Sequence, residues 1–242
     1  MHNHMNQPIG LPVPSWSPPP QPSHEVLAGK YCRLEPLNAD CHAEDLYNAN
    51  VLDKEGRNWT YLPYGPFHSL TDYKAWVESN CKSRDPLFYA ILPHSSGKPA
   101  GIASYLRIAP SSGSIEVGHV HFSNLLMRSI VATESMILMM KHAFELGYRR
   151  YEWKCDALNV GSRIAGQRLG LSFEGIFRQA TVYKGRNRDT AWYAATDGDW
   201  PELCKRYEQW LDPANFDSEG RQLVRLSDLT RPLLFRADPE LR

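Results

Sequence analysis

The sequence predicts one α/β domain whose mixed sheet joins an antiparallel meander to a parallel strand-helix-strand crossover. Apolar strands at 86–92, 100–108 and 115–123 are separated by short turns rich in Gly, Ser and Pro, which is typical of a meander. A long helical pattern, 129–147, follows the third strand and leads into another strand at 149–157, and this order indicates a parallel crossover. The length of 242 residues suits one domain with a substantial core.

The segment ahead of the meander predicts one strand and two helices. Residues 30–37 have the pattern of a strand, and the next helix begins near Asn38 or Asp40, which are residue types that cap helices. A second amphipathic helix spans 69–83. Between the two helices, the aromatic and proline-containing segment 58–67 predicts a semi-rigid loop that either walls a pocket or packs over the sheet.

The segment after the crossover predicts a short helix at 159–170, a hairpin around 184–189 and a last helix at 199–211 with Asp199 as its cap. We expect the residues beyond Asp212 to form a loosely held tail. The chain therefore divides into an N-terminal arm at 1–24, a folded domain at 25–212 and a C-terminal tail at 213–242.

The arm at 1–24 is proline-rich. It carries seven of the eighteen prolines and no Lys, Arg, Asp or Glu, so an extended, polyproline-like conformation is expected. Trp16 and the apolar residues near it either lie along the domain, contact a second subunit, or belong to a solvated leader. A homodimer is therefore compatible with the sequence.

Composition excludes several classes of partner and site. Lys+Arg and Asp+Glu both number 27, so no global field favours nucleic acid or an anionic membrane surface. The five cysteines are odd in number and contain no C-x-x-C pair, which argues against a disulfide framework and a zinc knuckle and indicates a reduced, cytoplasmic setting. No apolar run approaches the roughly 20 residues that a membrane-spanning helix needs.

The segment 159–189 has the sequence NVGSRIAGQRLGLSFEGIFRQATVYKGRNRD. It resembles the N-x-x-S…LGF-x-x-EG…K-G…D signature of the GNAT acetyltransferases. Within that family the resemblance is to the RimJ/RimL-like branch of ribosomal-protein N-terminal acetyltransferases. The resemblance covers about residues 30–200. It implies a GNAT-like fold with splayed central strands, acetyl-coenzyme A as co-substrate and no metal. The acceptor that it implies is a primary amine, either of a protein N-terminus or of a small molecule.

The turn FSNLLMRSIVATES, at 122–135, is where the resemblance would put the pyrophosphate, yet it contains no glycine. The family glycines fall on Arg128 and Ile130. A helix N-terminus nevertheless keeps free amide donors and a positive dipole end whatever its side chains are. The groups that we expect to hold coenzyme A are the Arg128 charge and the amides of Ser129, Ala132 and Thr133. The alternative is a non-catalytic GNAT-fold binding protein with a degenerate coenzyme A site.

The resemblance also implies roles for residues around the gap between the splayed strands. Gly118 suits a bulge that would open the gap, or a local packing adjustment. The donor for the oxyanion would be a backbone amide near Val120 or His121. Asn159 would contact the pantetheine arm or cap the helix that follows it.

The general acid implied by the resemblance is Ser162, although a hydrogen bond at the start of the helix is its simpler role. Many members use a tyrosine four residues before the glycine of the LG motif. That position is Gly166 here, so the tyrosine version is excluded.

The general base has three candidates, Glu116, His119 and His121. The glutamate that relatives acting on ribosomal protein carry is replaced by Thr181. Alternation along the strand puts Glu116 on one face and both histidines on the other, unless a bulge at Gly118 changes it. An H-x-H pair could also bind a metal, but no third ligand is evident.

Charged residues are unusual on the strand at 149–157, because a central parallel strand is buried on both faces. Glu152, Lys154 and Asp156 alternate there with apolar residues. They either line an open cleft or pair with one another and with neighbouring strands.

Overall fold

The chain folds around one eight-stranded mixed sheet in the order β1-β2-β3-β4-β5-β6-β8-β7. The computed structural model describes residues 1–241, and within them β5 and β6 form the only parallel pair. The predicted mixed α/β sheet, with its meander and its crossover, is confirmed. The strands are β1 Leu27–Ala28, β2 Cys32–Pro36, β3 Leu87–Pro93, β4 Gly101–Ala109, β5 Ser114–Phe122, β6 Arg150–Asp156, β7 Ser172–Tyr183 and β8 Arg186–Thr196.

Six α-helices surround the sheet. They are α1 Ala39–Asn50, α2 Leu70–Asn80, α3 Ile130–Glu145, α4 Val160–Arg168, α5 Trp200–Trp210 and α6 Leu226–Thr230. Among the described residues, no helix has the length and apolar character to cross a bilayer.

Helices α1 and α2 cover one face of the sheet, and both begin at a capping side chain. The Asn38 carboxamide accepts hydrogen bonds from the amides of Asp40 and Cys41, and the Ser69 hydroxyl accepts one from Asp72. The helices and the aromatic loop between them bury an apolar layer against β2, β3 and β4. Residues of this layer include Leu46, Trp59, Tyr73, Val77, Phe88 and Ile102.

Helices α3 and α5 pack on the opposite face. The core that they share with the sheet includes Tyr105, Ile115, Val117, Met136, Met139, Met140, Tyr151, Tyr193 and Tyr207. The start of α5 differs from the prediction, because the Asp199 carboxylate accepts hydrogen bonds from the amide and the hydroxyl of Thr196 and makes no cap bond to the helix.

The two central strands separate part-way along their length. β5 pairs with β6 from Ser114 opposite Arg150 to Val117 opposite Trp153, and the pairing stops there. Both strands continue, β5 to Phe122 and β6 to its end, where it still pairs with β8. A gap therefore opens between them, as the resemblance implies, and the chain enters α3 just beyond it.

A bulge lies next to Gly118 on the gap side of β5. Ser104 pairs with Gly118, and Ile102 pairs with His121, so one residue of β4 faces two residues of β5. His119 supplies the extra residue with a left-handed φ of 50°. The bulge expected at Gly118 is thus present one residue further on.

The residues after Asp212 do not form the loosely held tail that we expected. Leu226 and Thr230 are fully buried. The Phe173 amide donates to the Arg236 carbonyl at 2.9 Å, which holds the segment against the edge strand β7. The local sequence pattern could not indicate this packing, because every partner lies far away along the chain.

The second half of the N-terminal arm lies along the domain. The Arg149 guanidinium is 6.0 Å from the centroid of the Trp16 ring. The Tyr148 hydroxyl donates to the Pro20 carbonyl at 3.2 Å. Of the three alternatives for Trp16, contact with its own domain is the one observed.

Candidate active site

The head of α3 is capped by its own serine. The Ser129 hydroxyl accepts a hydrogen bond from the Ala132 amide at 3.1 Å, and the Thr133 amide donates to the Ser129 carbonyl at 3.4 Å. The Ser129 amide itself donates to the Leu126 carbonyl at 3.1 Å. The three amides that we expected to hold a diphosphate are therefore engaged inside the protein, because a serine at the N-cap takes up the donors of the first turn.

Three neighbouring amides remain free instead. Within residues 1–241, the backbone N–H groups of Arg128, Ile130 and Val131 donate to no protein acceptor. Arg128 adopts a left-handed φ of 60°, the conformation that glycine adopts most readily, so the backbone of the turn keeps a glycine-like path. Free amides and the positive end of the helix dipole together make this turn suitable for an anion.

The side chains of the turn point either into the core or into solvent. Ile130 packs against the hydrophobic core beneath α3. Met127 and Arg128 are exposed. Arg128 has no acidic partner among the described residues, and its guanidinium is thus available to a ligand.

The far wall of the gap is formed by β6 and the head of α4. The Asn159 side chain accepts a hydrogen bond from the Ser162 amide at 3.1 Å and so caps α4. The Trp153 indole N–H donates to the Ser162 hydroxyl oxygen at 3.0 Å. Since that oxygen is the acceptor in this bond, the Ser162 hydroxyl hydrogen can be donated elsewhere, and the Cys155 sulphur is one acceptor within its reach. Beside it, burial raises the pKa of the Cys155 thiol to about 11.

Gly166 allows the Trp153 ring to approach α4. A Cβ atom at this position would lie 3.3 Å from the indole. The place where many relatives carry a tyrosine is therefore packed against tryptophan here. Val120, on the opposite strand, packs against the core beneath α3, and its backbone belongs to the part of β5 that has no partner on the β6 side.

Glu116 is held by two cations. Its carboxylate lies 2.7 and 2.8 Å from the Arg107 guanidinium and 2.8 Å from the Lys154 ammonium. Burial raises the pKa of Glu116, although both cations act in the opposite direction. Since Ile115 and Val117 belong to the core beneath α3, Glu116 faces the side of α1 and α2.

His121 is buried under the aromatic loop on that same face, opposite Ile102. Its ring stacks on Trp59 with 3.8 Å between centroids, and its Nε2 atom finds no partner in residues 1–241. Burial lowers the pKa of His121 to about 4, with the Asp53 carboxylate acting weakly in the opposite direction. The simple alternation that separated Glu116 from the histidines is wrong, because the bulge turns β5 over between them.

His119 lies in the bulge at the mouth of the gap and is only half-buried. Its Nδ1 atom is 3.1 Å from the Tyr64 hydroxyl, and the two rings stack at 5.6 Å. Burial, helped by the Arg107 and Arg188 charges, lowers the pKa of His119 to about 4. The imidazole is therefore neutral around pH 7. Within residues 1–241, no set of three His, Cys, Asp or Glu side chains could hold a metal ion beside it.

The family model of the acetyltransferase (GNAT) domain matches residues 32–172. The chain belongs to the GNAT family. A GCN5-related N-acetyltransferase from Brucella melitensis is 43% identical to this acetyltransferase, with a TM-score of 0.88 over 90% of this chain and 100% of that one. A protein from Chromobacterium violaceum described as a probable acetyltransferase of the GNAT family is 36% identical, with a TM-score of 0.75 over 80% of this chain and 97% of that one.

The RimL ribosomal L7/L12 α-N-protein acetyltransferase shares the fold of this acetyltransferase. It is 21% identical, with a TM-score of 0.62 over 71% of this chain and 94% of that one. Among proteins of curated function, none matches the chain significantly. The family is therefore established by the domain match and by the more similar structures, whereas RimL supports the fold alone.

Groups on both sides of the gap could hold a ligand that carries phosphates and amides. The free amides at the head of α3 suit a diphosphate. The unpaired backbone of β5 beyond Val117 suits an arm that carries amides of its own, since buried backbone groups need partners. Ser162 lies on the opposite wall of the gap. The amides of Ser129, Ala132 and Thr133, which the sequence suggested as phosphate ligands, bond within the protein, whereas those of Arg128, Ile130 and Val131 do not.

The charged residues of β6 pair with one another and with neighbouring strands, which is the second of the two interpretations that the sequence left open. The Lys154 ammonium is 2.6 Å from Glu152 and 3.7 Å from the centroid of the Trp192 ring. Glu152 is also 2.6 Å from the Arg150 guanidinium. Asp156 accepts a hydrogen bond from the Tyr183 hydroxyl at 2.7 Å.

The aromatic loop between α1 and α2 crosses over the mouth of the gap. The Tyr61 hydroxyl donates to the Leu158 carbonyl at 3.1 Å, in the turn between β6 and α4. The Lys184 ammonium, at the tip of the β7-β8 hairpin, donates to the Trp59 carbonyl at 2.8 Å. The loop thus borders the gap and also packs over the sheet, so that it combines the two alternatives that the sequence left open. Tyr64 was missed as a partner of His119, and the aromatic content of the loop was the signal for it.

Proposed function

We propose that this acetyltransferase transfers the acetyl group of acetyl-coenzyme A to a primary amine, either of a protein N-terminus or of a small molecule. The observation that carries the proposal is the set of free amides at Arg128, Ile130 and Val131, which stand at the end of the gap between β5 and β6. In support, a second RimL structure, 21% identical with a TM-score of 0.61, is a complex with coenzyme A.

Coenzyme A would be held by residues on both sides of the gap. The amides of the α3 turn and the Arg128 guanidinium would bind its diphosphate, and the unpaired backbone around Val120 would bind its amide-containing arm. Asn159 would act through the helix that it caps and not by direct contact. Acetyl-coenzyme A supplies an acetyl thioester, whose carbonyl carbon is the point of attack.

His119 is the best-placed general base of the three candidates. Its ring is neutral, partly exposed and oriented by the Tyr64 hydroxyl. Glu116 is instead occupied by Arg107 and Lys154, and His121 is covered by Trp59. In the tautomer whose Nδ1–H donates to the Tyr64 hydroxyl oxygen, the His119 Nε2 atom is unprotonated and would take the proton that the amine loses as its nitrogen attacks.

Two further groups would complete the transfer. A backbone amide at Val120 or His121 would stabilise the negative charge that develops on the carbonyl oxygen. The Ser162 hydroxyl, whose oxygen is oriented by the Trp153 indole N–H, would give its proton to the departing sulphur and regain one from solvent, to which the His119 imidazolium releases the proton taken from the amine.

The weak basicity of His119 restricts the pKa of the amine that can serve as acceptor. An α-amine has a pKa near 8, so about a tenth of it is neutral at pH 7, whereas a lysine amine with a pKa near 10.4 is neutral in less than about one part in a thousand. A histidine with a pKa of about 4 cannot deprotonate a lysine ammonium efficiently. This favours an N-terminus or a small amine of low pKa over a lysine side chain.

The function is tested by calorimetric titration with coenzyme A, followed by measurement of thiol release with a panel of amines. The panel contains a peptide with a free N-terminus, the same peptide with a blocked N-terminus and one lysine, and ethylamine. Thiol release with the free N-terminus or with ethylamine is expected. Coenzyme A binding without turnover on any amine would instead indicate the non-catalytic alternative, and absence of binding would overturn the proposal.

Charge reversal at Arg128 is expected to weaken coenzyme A binding. Arg128→Glu puts a carboxylate beside the diphosphate, and we expect about a tenfold rise in Kd, equivalent to about 1.4 kcal/mol. Arg128→Gly is the matched control, because glycine accepts the φ of 60° without strain and keeps the amide. It should lose less affinity than Arg128→Glu. Equal Kd values for wild type and Arg128→Glu, measured by calorimetry, would remove this side chain from the site.

Removal of the Ser162 hydroxyl is expected to lower kcat by up to about 100-fold. The reason is that Ser162→Ala deletes the donor for the departing sulphur while the cap bond to the Ser162 amide stays. Steady-state thiol release checks this, with Ser135→Ala as the control, since that buried hydroxyl bonds within α3. An unchanged kcat with a raised KM for acetyl-coenzyme A would assign the Ser162 hydroxyl to binding alone.

A further inference from the structure

The C-terminal segment, residues 226–240, packs against the side of α4 that faces away from the gap. The Thr230 hydroxyl donates to the Arg168 carbonyl at 2.9 Å, and the Asp238 amide donates to the Gln167 side chain at 2.6 Å. The matched GNAT domain ends at residue 172, so the whole C-terminal segment lies outside the match. A wall of the active site is therefore supported by residues that do not belong to the family domain.

The strongest of these contacts is an ion pair removed from solvent. The side chains of Arg163 and Asp238 are 4% and 0% exposed, and the Asp238 carboxylate lies 2.7 to 2.9 Å from Nε and Nη2 of the guanidinium. The Tyr193 hydroxyl donates to the same carboxylate. Burial alone would raise the pKa of Asp238, but hydrogen bonds from Tyr193 and Arg163 hold it below its usual range. The Asp238 carboxylate is thus charged, and both of its oxygens accept hydrogen bonds.

The Arg163 guanidinium also contacts the turn at the edge of the gap. Its Nη1 atom donates to the Ala157 carbonyl at 2.9 Å, in the turn that joins β6 to α4. Arg163 also follows Ser162 directly in the first turns of α4. One side chain therefore ties the turn between β6 and α4 to the helix that presents the Ser162 hydroxyl, and its own orientation depends on Asp238.

We propose that Asp238 is a positioning residue for the coenzyme A site, acting through Arg163 on the turn between β6 and α4 and on Ser162. The inference rests on the proposed function, because it takes the head of α4 as a wall of that site. Without the Asp238 carboxylate, the buried guanidinium keeps only the exposed Glu240 as an acidic partner and must move toward it and toward solvent. The Ala157 contact is then lost, and the head of α4 shifts or becomes mobile.

The test compares Asp238→Asn with Glu240→Gln in the full chain. Glu240 contacts the same guanidinium at 2.7 Å, but its side chain is 61% exposed, so its loss should matter little. We expect Asp238→Asn to raise the Kd for coenzyme A about tenfold in calorimetry and to raise the KM for acetyl-coenzyme A more than that for the amine. Amide hydrogen exchange of the ligand-free protein should accelerate across 157–168. Glu240→Gln should stay within about twofold of wild type in all three measurements.

Asp238→Glu serves as a second variant should Asp238→Asn fail to fold. It keeps the charge but displaces the carboxylate by one methylene, and an intermediate loss of affinity is expected. Wild-type Kd and exchange rates in a folded Asp238 variant would overturn the inference while leaving the proposed function intact. Failure of the wild-type protein to bind coenzyme A would instead overturn the proposed function, and the inference with it.

Discussion

Replacement of His119 by glutamine is expected to lower kcat by about 100-fold or more while leaving the Kd for coenzyme A within about twofold. General bases typically contribute about 10² to 10⁴ in rate, and glutamine keeps a hydrogen-bonding side chain beside Tyr64 but cannot take a proton at neutral pH. Steady-state thiol release with a saturating amine measures the rate, and calorimetry measures the affinity.

The pH dependence provides an independent check on the same residue. A base is active when deprotonated, so a histidine with a pKa of about 4 is competent at every pH above that value. The rise of kcat/KM with pH should therefore follow the acceptor amine, near pH 8 for an α-amine, with no step near 6.5. His121→Gln is the matched control and should retain its turnover rate if the variant folds. A wild-type rate in His119→Gln would exclude this histidine as the base.

Removal of the Glu134 carboxylate is expected to cost about 1–3 kcal/mol of unfolding free energy. Glu134, on α3, is buried and accepts hydrogen bonds from the successive backbone amides of Lys30, Tyr31 and Cys32, at 2.7, 2.7 and 2.9 Å. Glu134→Ala leaves these donors without their acceptor, and the cost of about 1–3 kcal/mol for an unsatisfied buried donor applies to Cys32, because the bonds to Lys30 and Tyr31 are only partly buried. Denaturant unfolding monitored by circular dichroism measures the change.

Glu145→Ala is the matched control for this stability effect. Glu145 lies on the same helix, is exposed, and forms only a surface ion pair with Lys141 at 3.7 Å. Exposed pairs of this kind contribute about 0–1 kcal/mol. A loss of less than about 1 kcal/mol in Glu134→Ala would show that water replaces the carboxylate at the turn.

Most of the fold follows from local signals in the sequence. Short turns between apolar strands determine the meander, and the caps at Asn38 and Ser69 determine where α1 and α2 begin. The packing of the last thirty residues could not be predicted in this way. Leu226 and Asp238 are buried by partners that are distant in sequence, and a local pattern carries no information about such contacts.

The turn before α3 and the gap beside it follow from the order of elements in the sequence. Which amides of the turn are free does not, because it depends on Ser129 capping its own helix and leaving Arg128, Ile130 and Val131 as the free donors. Which face of the sheet each β5 side chain points to depends on the bulge. The extra residue of the bulge, His119, has a left-handed φ, and no sequence rule assigns that conformation to it.

The pairing of Arg163 with Asp238 has a consequence for biosynthesis. The two residues are separated by 75 positions, and a chain emerges from the ribosome with its N-terminal end first. During translation, Arg163 therefore precedes its counter-ion, and its side chain must stay in solvent until the C-terminal segment arrives. A nonsense mutation between codons 197 and 237 would produce a chain that contains the matched family domain and all eight strands yet lacks Asp238. We expect such products to be cleared by cellular proteases instead of accumulating as smaller enzymes.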